Sequence, residues 1–511
     1  MSVDLDVARK DLLAACGEVG VGETAGETAG ETGASGPGQV PGFVALPGST
    51  EVAADVMRVA AEHELAVVVR GGGSRLSWGV PAARCDLVID VSRMSGVVEH
   101  ASGDLVARIR AGTRMGDVQA VLAQAGQEIA LDVPGDASVG GVIGSGLAGP
   151  RRLRYGTPRD LLIGLTIVRA DGTIAKSGGK VVKNVAGYDL GKLFAGSAGT
   201  LGLITEAIFR LHPLPEARAY VTAEYVAVSV ACDAVAAAAN SPLVSSAVEL
   251  SRAAPGGPVR VGVLLEGSAD GVAARAVRMA GLLGHGEVAD SAPAWWPGAP
   301  RAAAGETLIR VSFWVSALAR VLDAIEAAAA RSGVSPAVEG SAGAGVLYVR
   351  VDAGSYVRVG AGSQDGSIAQ TSASIGAESA SEPGMGNGPG MGNEPGMGNE
   401  PGMGNERGVG NEPGVGTEPG VGNEPGVGNE PGVGEGAWAV AGAEFVAALR
   451  GAVAGERGAV AVLAAPAPVR AELAARGGMN GTVPGLALMR AVKDQFDPGH
   501  RMSPGRFPEG V

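Results

Sequence analysis

Cysteine is almost missing from this chain. Cys16, Cys85 and Cys232 are the only three in 511 residues, and they stand far apart. Such spacing builds neither a disulfide framework nor a Cys-x-x-Cys metal or iron–sulfur motif. The expectation is three reduced thiols in a cytosolic protein. Histidine is equally sparse: no two of His63, His100, His212, His285 and His500 lie within ten residues, which excludes a His-x-x-x-His zinc motif. Aromatics make up 4% and charged residues 18%, with a net charge of −13 and a pI near 5. An acidic balance opposes nucleic acid as a partner, because phosphate binding needs a basic face. No run of about 18 uncharged apolar residues occurs, so no transmembrane segment is expected. Met1 to Lys10 lacks a basic region followed by an apolar run, so no signal peptide is expected either.

What is abundant is apolar surface, 46% of residues, and glycine, 85 residues. The length allows two or three domains with a real core. Residues 1–38 read as a short amphipathic helix and a flexible linker of Gly-Glu-Thr-Ala repeats. Over 39–215 the pattern is α/β. Ser49, Thr50 and Glu51 open a helix to about Glu64, Ala66 to Arg70 and Leu87 to Val91 read as strands, and Gly126 ends a helix from about Gly116. Ile163 to Arg169 and Ile174 to Ser177 read as a hairpin about Asp171-Gly172. A second α/β unit covers 216–353, with paired βαβ elements on an open sheet, and resumes over 437–511. Between them, within 354–436, a hexapeptide Glu-Pro-Gly-Met/Val-Gly-Asn recurs nine times from Glu382. It carries one apolar side chain per copy, its glycine spacing is not that of collagen, and its prolines oppose strands. It reads as a disordered, turn-rich surface insertion.

The chemistry sits in small-residue loops. Gly71-Gly72-Gly73-Ser74-Arg75-Leu76-Ser77 directly follows a strand. Three glycines let backbone N–H groups approach a ligand closely, and such a nest suits a pyrophosphate. The loop is neither a Walker A sequence nor Gly-x-Gly-x-x-Gly, and alone it is equally a tight turn. A second stretch is Pro134-Gly135-Asp136-Ala137-Ser138-Val139-Gly140-Gly141, continuing to Gly144 and Gly146. A third contains Tyr155 and Gly156, a fourth runs from Lys183 to Leu190, and a fifth, from Gly196 to Glu206, contains Gly202 and Ile204. Each taken singly is explained by turn chemistry.

In this order they resemble the FAD-binding domain of the vanillyl-alcohol oxidase / p-cresol methylhydroxylase (PCMH-type) superfamily. Within it, Gly-Leu-Ala-Gly-Pro-Arg-Arg at Gly146 to Arg152 and Lys-Asn-Val-Ala-Gly-Tyr-Asp-Leu at Lys183 to Leu190 are similar to the E-subunit family of bacterial glycolate oxidases. Phe496-Asp497-Pro498 and Ser503 to Phe507 resemble that superfamily's closing motif. The resemblance implies an α/β fold of two small lobes gripping FAD, with a reduced α+β cap. It implies that Gly71, Gly72, Gly73, Ser74, Arg75, Leu76 and Ser77 cradle the pyrophosphate. Pro134, Gly135, Asp136, Ser138, Val139, Gly140 and Gly141 would run along the cofactor, with Gly144, Gly146, Tyr155 and Gly156 continuing that wall. Gly202 and Ile204 would place amides at the isoalloxazine or ribityl part. The glycine loop offers no His or Cys to tether FAD, so binding is expected to be non-covalent. The implied partners are a catalytic FAD subunit and an iron–sulfur subunit, the implied substrate a small hydroxy acid, and the implied location the cytoplasm, with membrane contact only through partners. Arg506 and Lys493 are candidates to neutralise a substrate carboxylate, although a surface cation explains each more simply; no catalytic base is evident. The rival readings are a self-sufficient FAD oxidoreductase of the same superfamily and a structural subunit that has lost FAD.

Overall fold

The structure is a computed structural model that describes residues 5–17, 19–21, 42–180, 188–355, 435–481 and 483–506. The linker over 22–41, the stretch 181–187 of the fourth motif and residues 356–434, which hold nearly all of the hexapeptide repeat read as a disordered insertion, lie outside the described residues.

The N-terminal part combines two sheets. In the first, β1 (Val19–Val21) pairs antiparallel with β2 (Phe43–Ala45), and β2, β4 (Leu87–Asp90) and β3 (Val67–Arg70) run parallel in that spatial order. Helices α1 (Leu5–Cys16) and α2 (Thr50–Glu62) cover it, burying Leu12, Val56 and Met57 against Phe43, Val67 and Ile89. Ser49 starts α2 as expected: its hydroxyl accepts the Val52 N–H at 3.2 Å. The second sheet is antiparallel, in the order β5 (Val97–Ala101), β6 (Val106–Arg110), β10 (Leu203–Arg210), β8 (Leu162–Val168), β9 (Ile174–Gly178). The expected hairpin is its β8–β9 edge. Helices α3 (Met115–Ala123) and α4 (Val139–Ser145) close this sheet's core around Ile109, Phe209, Val118 and Ile143. Gly126, at φ +68, ends the turn after α3. The short helices α5 (Arg152–Tyr155) and α6 (Pro158–Leu161) lead into β8, and the short strands β7 (Gln127–Glu128) and β11 (His212–Pro213) pair beside it.

The remaining elements form two βαββαβ units. The first is β12 (Ala217–Tyr225), α7 (Val228–Asn240), β13 (Ala247–Arg252), β14 (Val259–Gly267), α8 (Ala269–Leu282) and β15 (Glu287–Ala289). The second is β16 (Thr307–Ser312), α9 (Leu318–Ser332), β17 (Ala337–Gly340), β18 (Val346–Val351), α10 (Glu435–Ala454) and β19 (Ala459–Ala464). They share one sheet of order β15-β12-β14-β13-β17-β18-β16-β19 in which every neighbouring pair is antiparallel. The βαβ pairing is therefore split: β12 and β13 flank β14 instead of touching, as in ferredoxin-like units. Strand alternation decides the faces. Val261, Val263, Ile309, Val311, Leu347 and Val349 pack under the helices, while Arg218, Glu266, Arg310 and Tyr348 occupy the opposite face. Helix α10 has the length and composition to cross a membrane, which the sequence was not expected to contain; here its Phe445, Val446, Leu449 and Val453 are core residues of the cap.

That opposite face meets the N-terminal part through charge. Buried Arg151 bonds Glu128 (2.7 Å), Asp132 (2.6 Å) and, on β14, Glu266 (3.4 Å). Arg218 on β12 reaches Glu266 at 3.0 Å. Burial opposes the Arg151 charge, but its carboxylate partners outweigh burial and drive its pKa upward. The C-terminal chain, α11 (Ala467–Ala474), α12 (Leu486–Phe496) and the residues after it, returns to the first sheet, where Val67 donates to Arg501 O (2.8 Å) and Ser503 to Val67 O (2.7 Å).

Candidate functional site

Parallel strands leave their following loops at the same sheet edge, and β3 delivers the glycine loop there. Arg70 at its end is paired to Asp90 at the end of β4, Nε to Oδ2 at 2.8 Å, both buried. From that fixed point residues 71–73 run against the backbone of 136–138. A Cβ on Gly71 would lie 2.0 Å from Ser138 Oγ, and one on Gly72 would lie 3.0 Å from Asp136 O. Ser138 is itself held: it caps α4 by accepting the Gly141 N–H at 3.2 Å. At the far end of α4 the chain 144–146 meets 195–199, with Gly196 donating to Ile143 O (2.9 Å) and Ala198 to Gly144 O (2.8 Å). Gly202, at φ +154 with Val168 O 3.0 Å from where a Cβ would sit, admits only glycine.

These loops wall a cleft of about 720 Å³, closed on the other side by β19, Arg310 of β16 and α12. It has the size of a cofactor site. Of the cofactor-binding candidates, Gly71, Gly72, Gly73, Ser74, Arg75, Leu76, Ser138, Gly140, Gly141, Gly144, Gly146, Gly202 and Ile204 line it. Seven other candidates do not. Ser77 and Asp136 point to solvent, and Asp136 pairs with Arg301 at 3.0 Å. Pro134 lines a separate hollow beside Arg218 and Trp296. Gly135 packs its Cα on Gly116, and Val139 is fully buried in the core. Tyr155 donates to Glu266 Oε2 at 3.2 Å with its ring edge-on to His212, and Gly156 sits where Asp160 leaves no room for a side chain. Tyr155 belongs to the junction with the cap, where Arg151 also reaches Glu266.

The two cations expected near a substrate are also placed elsewhere. Lys493 is fully buried, donating to Asp497 Oδ2 (2.6 Å), Met502 O (2.9 Å) and Thr200 O (2.7 Å). Arg506 lines the cleft, but its guanidinium is spent on two carbonyls of the glycine loop, Leu76 O (2.6 Å) and Trp78 O (2.9 Å). Burial pulls the Arg506 pKa down. Arg75 lies over the Trp78 ring at 5.2 Å, and its buried Nε has no hydrogen-bond partner. Burial, then Arg301, lowers its pKa, and Asp136 opposes them. Sequence reasoning missed Arg159, Arg310 and Asn480, which also line the cleft. The signal for Arg310 was one charge interrupting the apolar run Leu308-Ile309-Arg310-Val311.

Among the described residues lining the cleft, four are arginine and none is Asp, Glu, His, Cys, Lys or Tyr. In a chain of net charge −13, this is a site for an anion. A glycine cradle whose Cβ positions are filled by the opposing loop, and an orphaned guanidinium N–H inside it, fit a dinucleotide diphosphate.

A family model described as an FAD binding domain matches residues 41–178. The chain carries an FAD-binding domain. Its cofactor is FAD, and its fold is the PCMH type: against p-cresol methylhydroxylase the TM-score is 0.54, at 14% identity, covering 69% of this chain and 83% of that one. Among curated relatives, the chain is 34% identical over 216 residues to glycolate oxidase subunit GlcD of Bacillus subtilis, covering 41% of this chain and 45% of that protein. It is 38% identical over 154 residues to glycolate oxidase subunit GlcE of Escherichia coli (30% and 43%). It is 33% identical over 218 residues to the mitochondrial D-lactate dehydrogenase (cytochrome) 1 of Saccharomyces cerevisiae (42% and 36%). In each case the match spans less than half the relative's length.

Proposed function

We propose that this chain is an FAD-dependent oxidoreductase subunit of a glycolate (2-hydroxy acid) dehydrogenase complex, handling electrons from substrate oxidation beside a catalytic FAD subunit and an iron–sulfur subunit. The carrying observation is the chemistry of the cleft: glycine walls, four arginines, and no proton-accepting side chain among the described residues that line it. Bound there, FAD supplies the redox chemistry. The chain's own residues hold and enclose it. Gly71 to Gly73 give backbone approach, Arg75 offers its unpartnered N–H, and Arg506 fixes the loop's carbonyls. Oxidising an alcohol carbon also requires a group to take the hydroxyl proton, and arginine stays protonated. This favours passing electrons over oxidising a hydroxy acid unaided. Cysteine and histidine are likewise absent from the described lining, and burial pushes the Cys85 thiol up to about 12 and Cys232 up to about 11, which supports non-covalent FAD.

A second reading, a self-sufficient hydroxy-acid dehydrogenase, is favoured by the matches to GlcD and to D-lactate dehydrogenase, which span 216 and 218 residues against 154 for GlcE. The purified chain decides. Flavin absorption bands that pass to the supernatant on acid precipitation, with negligible dye reduction by glycolate or D-lactate until partner subunits are added, are the expected outcome. Robust turnover by the chain alone establishes the second reading, and yellow colour retained in the pellet refutes non-covalent binding.

A further inference from the structure

The glycine cradle contains one acid. Among residues 71–77 and 134–146, Asp136 is the single Asp or Glu. Its carbonyl oxygen lies 3.0 Å from where a Cβ on Gly72 would sit. A carboxylate at that place is at odds with the ligand of the cradle, because a diphosphate is doubly anionic and a like charge nearby weakens its binding. Asp136 and Arg301 both act on Arg75, whose unpartnered Nε is offered to that diphosphate: burial and Arg301 lower the Arg75 pKa, and Asp136 raises it.

The cap supplies the compensating charge. Between β15 and β16 the chain 290–306 crosses the sheet face that looks toward the FAD-binding part. Trp295 and Trp296 settle over Gly262, where a Cβ would meet their rings at 2.8 and 2.7 Å. Trp296 also stands edge-on to Tyr220, with ring centroids 5.0 Å apart. A hollow of about 560 Å³ then lies between Trp296 to Ala299 and Asp132 to Pro134. Past the hollow, an Arg301 Nη donates to Asp136 Oδ1 at 3.0 Å. Arg301 is braced from behind. Arg350 on β18 donates to Arg301 O at 2.6 Å and to Glu306 Oε2 at 2.8 Å, and Glu306 accepts the Ala303 N–H at 2.8 Å. The backbone of Arg301 is therefore fixed to the cap sheet, and its side chain reaches across to the acid of the cradle.

We propose that Arg301 is a positioning residue for FAD binding supplied by the cap: it neutralises Asp136 so that the cradle accepts a diphosphate, and it does so without touching the cofactor. This rests on the FAD reading of the cleft. It makes cofactor affinity depend on the 290–306 loop of the cap, although the glycine loops that grip FAD belong to the FAD-binding part. Both side chains of the pair are more than half exposed, so the effect is modest and is screened by salt.

The test measures the FAD dissociation constant of the full chain, by quenching of free flavin fluorescence, for Arg301→Met, Asp136→Asn and the double variant. Arg301→Met leaves Asp136 uncompensated and is expected to weaken binding about two- to fivefold at low salt. That difference should fade toward an ionic strength of about 1 M, where the Debye length falls to about 3 Å. Asp136→Asn should bind FAD at least as tightly as the wild type, and the double variant should return to the wild-type value. Arg320→Met, which removes the exposed pair with Glu456 beside the cap helices, should change nothing. A loss in Arg301→Met that persists in the Asp136→Asn background overturns the proposal, by making Arg301 a direct cofactor contact or a prop for the fold. Wild-type affinity in Arg301→Met, a loss indifferent to salt, or an equal loss in Arg320→Met also overturns it. A wild-type chain that takes up no FAD refutes the underlying reading instead, and is seen before any variant is compared.

Discussion

Replacing Gly71 by Ala adds one methyl group at the tightest point of the cradle. Gly71 is not at positive φ, so alanine meets no backbone strain there, and the whole cost comes from contact. The new Cβ would lie 2.0 Å from Ser138 Oγ and 3.0 Å from Ser138 Cβ. Rotating the hydroxyl away relieves the first contact but removes the acceptor that caps α4 at Gly141, a loss of about 1 kcal/mol. The second contact persists and forces the loops apart, an overpacking cost of about 1–3 kcal/mol. Gly71→Ala is therefore expected to destabilise the apo chain by about 2–4 kcal/mol in urea unfolding and to weaken FAD binding, measured by quenching of free flavin fluorescence. The Ser138→Ala background isolates the mechanism. There the cap is already gone and only the Cβ contact remains, so Gly71→Ala should cost about 1 kcal/mol less than in the wild type. Additive costs in the double-mutant cycle, or a neutral Gly71→Ala with intact FAD affinity, would refute the close apposition of the two loops.

Lys493→Met leaves Asp497, itself fully buried, without its 2.6 Å partner; an expected loss of about 3–5 kcal/mol should appear as a large drop in urea midpoint, and a loss under about 1 kcal/mol would contradict the buried pair. Arg506→Met removes two charge-assisted bonds to the glycine loop, and FAD affinity should fall by about tenfold or more; an unchanged dissociation constant would show that the loop holds its shape unaided. Glu249 on β13 is buried, and burial pushes its carboxyl up to about 8 from an ordinary 4.5, against the opposing Ser341 hydrogen bond. The folded state then holds a proton that the unfolded state has lost, so stability should decline as pH rises from about 4.5 to about 8 and level off above. Glu249→Gln should abolish that decline, matching the wild type near pH 5 and exceeding it near pH 9; parallel urea midpoints for both proteins across this range would sink the assignment.

Much of the fold was legible because it obeys local rules. Ser49 announces α2, Gly126 ends the turn after α3, and the β-branched run before Gly71 can only be a buried strand leading into a loop that glycine makes permissive. The inner wall of the cleft followed from the same logic, since a ligand gripped by backbone leaves its mark as a run of small residues, and those runs are contiguous. What the sequence did not show was which way several of the polar side chains turn. Tyr155 and Asp136 stand in the right segments, but Glu266 and Arg301, each more than a hundred residues distant, draw them away from the cleft. Lys493 and Arg506 looked alike as stray cations near the C-terminus, yet one is sealed into a buried ion pair and the other laces the glycine loop. Arg310 left only one charge in an apolar strand as its mark in the sequence, for the complementary reason. Its place in the cleft depends on the cap sheet turning one face to the FAD-binding part, and that face is set by β16 lying between β18 and β19, whose strands are separated in sequence by the whole 356–434 segment. Cofactor cradles are local in sequence and readable, whereas residues that reach the cleft from the cap become visible only through long-range strand pairing.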